Sequence, residues 1–218
     1  MLNKKNKGFT LAEVLISLVI IGVIAAMTIP TLINKTNKQE YASKLKKAYS
    51  TMSQATNRII ADEGNPRGDI GGWGTSTEAI FNMYKKYLSN TKVCPNNVTG
   101  CFAGIYKRMN GKKSSIESGV NQYGLILADG TALSFSESGF NSSCSLNSNG
   151  TNNYCLHIIV DVNGPKGPNF VGTDTFGFML KENGLFPTGC DYGTDNCPNA
   201  TNGWDCSCKV IRDGAINY

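Results

Sequence analysis

Between Phe9 and Ile33 the chain is almost wholly apolar, "FTLAEVLISLVIIGVIAAMTIPTLI", with one charged residue, Glu13. Val14 to Ile33 is about long enough to cross a ~30 Å hydrocarbon layer as a helix. After Asn34 the pattern becomes periodic. Tyr41, Leu45, Ala48, Met52, Ala55 and Ile59 recur at three- and four-residue spacing, which is the stripe of an amphipathic helix. Lys38, Lys44, Lys46, Lys47 and Arg58 fall mostly on the other faces, and Gly64 and Pro66 are stop signals. Phe9–Glu63 as one helix would be roughly 80 Å long. Pro30 removes one backbone donor inside it and is expected to kink it.

Past a flexible Gly71–Gly74 joint, Ser76 or Thr77 can cap a helix running to about Leu88. The period then shifts to that of strands. "YGLILADGTALSFS" (Tyr123–Ser136) places two β-rich arms around Asp129-Gly130, a hairpin signal. "YCLHIIVDV" (Tyr154–Val162) is a third strand, and "TFGFMLKENGLFP" (Thr175–Pro187) is a second hairpin turning at Asn183-Gly184. The segment after Cys190 is rich in Asp, Asn, Gly and Cys and reads as a loop held by bridges. The fold class is therefore α+β, a long N-terminal helix (membrane half plus amphipathic half) packed on an antiparallel β-sheet head.

Charge changes the picture at one end only. The net charge is +5, but Lys4, Lys5 and Lys7 supply three of it, and +5 minus 3 leaves +2 for the rest. This is no general polyanion-binding signature. The eight cysteines form no CxxC pair, so a disulfide-bonded domain in an oxidising compartment explains them better than zinc. A secretory signal would carry a cleavage site after its apolar core. "GVIAA" imitates one only weakly.

The stretch "KGFTLAEVLISLVIIGVIAAMTIP" (Lys7–Pro30) resembles the N-terminal signature of type IV pilins and type II secretion pseudopilins. The resemblance implies a pilin-like fold and four segments: a prepilin leader (1–8), a transmembrane and filament-core helix (9–33), its amphipathic continuation (34–63), and a globular head with a disulfide-bonded C-terminal loop (64–218). It also implies cleavage after Gly8 by a prepilin peptidase and N-methylation of Phe9. Glu13 is expected to meet the N-terminal amine of a neighbouring subunit during assembly, each charge offsetting the other's desolvation. Gly22 and Pro30 fall where family filaments loosen their helix. The implied partners are other copies of the chain and related pilins, the peptidase, an inner-membrane assembly platform and membrane lipid. The implied location is the cytoplasmic (inner) membrane with the head outside, then a surface or periplasmic filament. Lys35 and Lys38 follow the span on that outer side, so positive-inside asymmetry is modest.

Other motifs carry less. Asp161, Asn163 and Asp174 in "DVNGPKGPNFVGTD" offer hard oxygen ligands that Ca²⁺ would accept, and some secretion pseudopilins bind calcium in a sheet loop. Gly172 nevertheless stands where an EF-hand would close with Glu, and turn chemistry alone also accounts for these residues. No other cofactor is suggested. His157 is the single histidine, so neither a Ser-His-Asp nor a Cys-His nucleophile can be assembled without it, and an enzyme is not expected. "GDIGGWG" lacks the Lys-Ser/Thr of a phosphate loop. Lys107, Arg108, Lys112 and Lys113, near Tyr106, form a small basic patch that a solvated loop explains better than DNA binding.

Among the cysteines, Cys94 and Cys101 bracket a seven-residue step and Cys144 and Cys155 a polar loop, two plausible bridges. Cys190, Cys197, Cys206 and Cys208 are left to pair among themselves, Cys206 and Cys208 being too close to bond each other without strain. The reading is a non-enzymatic pilin-class subunit. A signal-anchored extracytoplasmic enzyme or binding module is the alternative, with a competence pseudopilin as a variant within the class.

Overall fold

One helix, α1 (Leu11–Glu63), carries both apolar patterns. The computed structural model describes residues 8–95, 98–114, 116, 122–136, 140–144, 154–190, 197 and 202–218. Its packing separates two units, Met1–Lys38 and Gln39–Tyr218.

In the first unit α1 stands without a core. Fifteen large apolar side chains between Phe9 and Ile33, among them Leu15, Ile20, Met27 and Leu32, are exposed. The helix is long and apolar enough to cross a membrane. It continues through Gly22 and Pro30. Thr28 and Thr31 donate their hydroxyls to the carbonyls of Ile24 and Met27, at 2.9 and 3.4 Å. These bonds flank the donor lost at Pro30.

In the second unit the stripe is buried: Tyr41, Ala42, Leu45, Ala48, Met52, Ala55, Thr56 and Ile59 all face the core. Ala42 and Thr56 widen the predicted line by one position each. The helix ends at Gly64, whose φ of 85° suits glycine. Trp73 then donates its indole N–H to the Gly64 carbonyl at 3.0 Å. Helix α2 (Thr77–Tyr87) starts at Ser76, whose hydroxyl accepts from Ala79 N–H. Its Tyr84 is fully buried and shares a hydrogen bond with the Thr56 hydroxyl of α1.

Eight strands follow among the described residues: β1 (Asn90–Cys94), β2 (Tyr106–Lys107), β3 (Lys113–Ser114), β4 (Gln122–Leu127), β5 (Ala132–Ser136), β6 (Leu156–Asp161), β7 (Thr175–Lys181) and β8 (Gly184–Pro187), the last hairpin turning at Glu182-Asn183 and not at Asn183-Gly184. Six form one antiparallel sheet in the order β1-β4-β5-β6-β7-β8, while β2 and β3 form a separate pair. Side-chain alternation gives the sheet two covered faces. Leu133, Phe135, Ile158, Val160 and Phe178 join the core that holds α1 and α2. Ala132 and Ile159 join a smaller cluster with Val98, Phe102, Tyr106 and Val171. Aromatic contacts tie helices to sheet: Tyr49 stacks on Phe178 at 5.7 Å and Phe81 on Tyr123 at 5.1 Å.

The C-terminal segment departs from the expectation of a loop. A one-turn 3-10 helix (Trp204–Cys206) leads into α3 (Ser207–Asp213), closed by Gly214 at φ 71°. The Asn- and Asp-rich composition upstream hid a short helix whose apolar anchor, Val210, is fully buried. Strands β1, β2 and β3 were also unread, because "NTKVC" and the two-residue pair are too short for a clear period.

Candidate functional site

The N-terminal end of α1 is built as a capping box. Thr10 N–H and Thr10 Oγ1 both donate to Glu13 Oε2 at 2.8 Å, and Glu13 N–H donates back to Thr10 Oγ1 at 3.3 Å. Helix starts leave orphan N–H groups, and this exchange satisfies two of them. Within one chain, then, the carboxylate of Glu13 is occupied by its own helix start. Ser17 Oγ donates to the Glu13 carbonyl one turn on, at 2.7 Å. Phe9 is 89% exposed, and a Cβ on Gly8 or Gly22 would meet no atom within 4 Å. Nothing in the folded chain demands glycine at either position, so any demand comes from what binds there.

The second candidate is the Asp161–Asp174 loop. Asp161 and Asp174 are both fully buried. Asp161 accepts from the Tyr106 hydroxyl at 2.7 Å and from Asn163 N–H at 3.1 Å. Asp174 accepts from the N–H groups of Asn169 and Phe170, at 2.7 and 2.6 Å. Burial and the neighbouring Asp174 push the Asp161 carboxyl up to about 8, and burial raises Asp174 as well. Neither forms an ion pair with another described residue. Asn163 Oδ1 and Asn169 Oδ1 are buried without a donor. Two buried carboxyl groups with no cationic partner among the described residues, in one loop with two orphaned amide oxygens, offer a hard cation the right donor type, and binding it would displace the proton that burial favours on Asp161. No group of three or more His, Cys, Asp or Glu side chains gathers among the described residues. Such a site would therefore rest on two acids and amides.

The remaining candidates resolve into structure. The four bridges are Cys94–Cys101, Cys144–Cys155, Cys190–Cys208 and Cys197–Cys206, and no cysteine is free. His157 lies between the rings of Tyr154 and Trp204, at 6.5 and 6.1 Å, and burial lowers it to about 4. In the Gly68–Gly74 turn, a Cβ on Gly72 or Gly74 would fall 2.0 Å from a backbone carbonyl oxygen. Those glycines serve close packing. Lys107 and Lys113 face each other across the β2–β3 pair. Missed by sequence reasoning were Thr10 and Asn169. The "T-x-x-E" spacing of a capping box was legible for Thr10. Asn169 carried no signal beyond its place in the loop.

Residues 3–29 match the prokaryotic N-terminal methylation motif. Residues 31–195 match a family of unknown function, DUF6613. The chain belongs to that DUF6613 family. No curated protein and no solved structure matches it. Together with the exposed apolar helix, the methylation motif makes this DUF6613 member a type IV pilin-like prepilin, and it points to a structural protein. The motif implies assembly with other pilins and processing by a prepilin peptidase, and it suggests membrane anchoring through α1.

Proposed function

We propose that this protein is the structural subunit of a type IV pilus-like filament or secretion pseudopilus, cleaved after Gly8 and N-methylated at Phe9. The observation that carries the reading is a methylation motif that runs onto the part of α1 whose large apolar side chains are exposed. An exposed apolar surface of that extent needs lipid or protein around it. Lipid would hold the stored subunit, and the apolar faces of neighbouring copies would replace lipid in the filament. Glu13 marks the exchange. In the single chain its carboxylate caps its own helix through Thr10. In the filament the charged amine of Phe9 on an adjacent copy would become its partner, and a buried charge persists only when paired. Gly22 and Pro30 are the positions where α1 would loosen as copies pack, since both are weak helix formers. Intact-mass measurement of the membrane-extracted protein tests this. A start at methylated Phe9 is expected, whereas retained Met1 or a start near Ala26 would overturn it.

A second reading concerns the head. Calcium held by Asp161, Asn163 and Asp174, with Asn169 adjoining, would neutralise the buried acids and tie the loop before β7 to β6. A calcium ion supplies positive charge and oxygen coordination there. Titration calorimetry on chelator-treated protein should show binding that Asp174→Asn abolishes, and no heat with the unaltered chain would dismiss it.

A further inference from the structure

A shallow groove of about 330 Å³ runs along α1 in the head, between the C-terminal end of α2 and the β4–β5 turn. Its cations differ in one respect. Lys47 reaches Asp129 at 3.0 Å, and Lys86, nearby on α2, reaches Glu63 at 2.7 Å. Arg58 has the Tyr87 ring, 5.9 Å from its guanidinium carbon, and no carboxylate among the described residues. A guanidinium laid on a ring still has its N–H edge for a pair of carboxylate oxygens. The floor beneath is apolar, with Ala55 and Leu88 buried. Low-dielectric walls strengthen a charge contact made above them.

The complementary group sits at the other end of α2. Glu78 lies in the first turn and is exposed. It makes no hydrogen bond or ion pair with another described residue. Every other exposed carboxylate described in Gln39–Tyr218 has one: Glu40 with Lys44, Asp62 with Tyr87, Asp213 with Lys209, and the rest likewise. Glu78 and the groove are separated by the length of α2, roughly 15 Å for ten residues. Two unpaired, opposite charges at opposite ends of one rigid helix cannot meet within a copy. Between copies they join unlike patches, and a contact of unlike patches builds an open array wherever its rotation does not close a ring.

We propose that Glu78 of one copy enters the Arg58 groove of the next, so that the heads line up head to tail along α2. This rests on the filament reading above. The test is charge exchange in the full chain, with filament yield measured against total membrane-bound subunit. Arg58→Glu and Glu78→Arg should each lower yield about tenfold, as expected for losing a complementary charge contact and gaining a repulsive one. The double exchange should restore it to within about threefold. Thermal melting of each variant should stay within a few degrees of the parent, since both positions are exposed and the ring contact of Arg58 and the helix-start position of Glu78 carry only small contributions. In assembled Arg58→Lys filaments, a zero-length carbodiimide should join position 58 to Glu78, in mixed isotope-labelled copies, as an intermolecular peptide pair. Parent-level yield from both single variants, or no rescue by the double, would overturn the head-to-tail contact while leaving the filament reading intact. Absence of any filament from the unaltered chain would remove both.

Discussion

The two halves of α1 obey opposite rules. Between Phe9 and Ile33 the large apolar side chains are exposed, and between Tyr41 and Ile59 the apolar stripe is buried. Backbone geometry is the same in both, so the difference lies in how apolar residues are distributed around the helix. An all-round apolar segment has no polar face to turn to water and requires a surrounding that is itself apolar. A single stripe needs only one covering surface, which the sheet provides. Glu13 is the exception in the first half, and the buried Thr56 is its counterpart in the second. Each polar group has a partner, Glu13 its neighbour Thr10 on the same helix start, and Thr56 both the Met52 carbonyl of its own helix and Tyr84 of α2.

The comparison breaks most sharply at Glu13. Glu13→Ala and Glu13→Gln should each lower filament yield by roughly a hundredfold, because the neighbour's amine is left buried and unpaired. Cleavage and the melting temperature of the head should stay unchanged. Normal yield from both variants would make Glu13 merely a helix cap. Next in size is a matched pair of truncations. Leu45→Ala opens a cavity in a fully buried position and should cost the head about 2–5 kcal/mol by chemical denaturation. Leu18→Ala, in the exposed half, should leave that value within about 0.5 kcal/mol. Equal losses would mean that the two halves do not differ as described.

Smaller effects sharpen the account of the head. Asp161 titrates near 8 when folded, well above its ordinary value of 3.8. At this group the folded chain therefore holds more protons than the unfolded one between those limits, and the contribution of Asp161 to stability should fall as pH rises from about 4 to about 8. His157 works against this at the acid end. Its folded value of about 4 lies below the ordinary 6.5, so stability is lost as pH drops from 6.5 towards 4. In calcium-free buffer, Asp161→Asn should flatten the slope above pH 6.5 in a series of melting temperatures. A slope unchanged by that substitution would exclude Asp161 as its source. Least of all, Ser76→Ala should cost about 1 kcal/mol by removing the α2 cap, measurable as a small shift in denaturation midpoint.

From the sequence alone one could read the long helix, its change of pattern near Asn34, the two hairpins and the methylation signature. These are local: periodicity, turn residues and a short motif are all written in consecutive positions. Hairpin register did not follow: Lys181 pairs with Gly184, so the second hairpin turns at Glu182-Asn183 and not at Asn183-Gly184, and Ile126 pairs with Ala132, so the first closes through the three residues 128–130. What only the tertiary structure decided involves partners distant in the chain. By sequence Asp161 ends a strand and Asp174 closes a loop, and it is their burial in the folded head, with Tyr106 of β2 hydrogen-bonded to Asp161, that makes them an unusual pair. The separate β2–β3 pair, the placement of α3 on bridged cysteines, and the groove in which Arg58 has no carboxylate among the described residues arise the same way. Sequence pattern reports which face of an element wants burial. It does not report which face of another element will supply it, because that choice is made by the summed packing of the whole core.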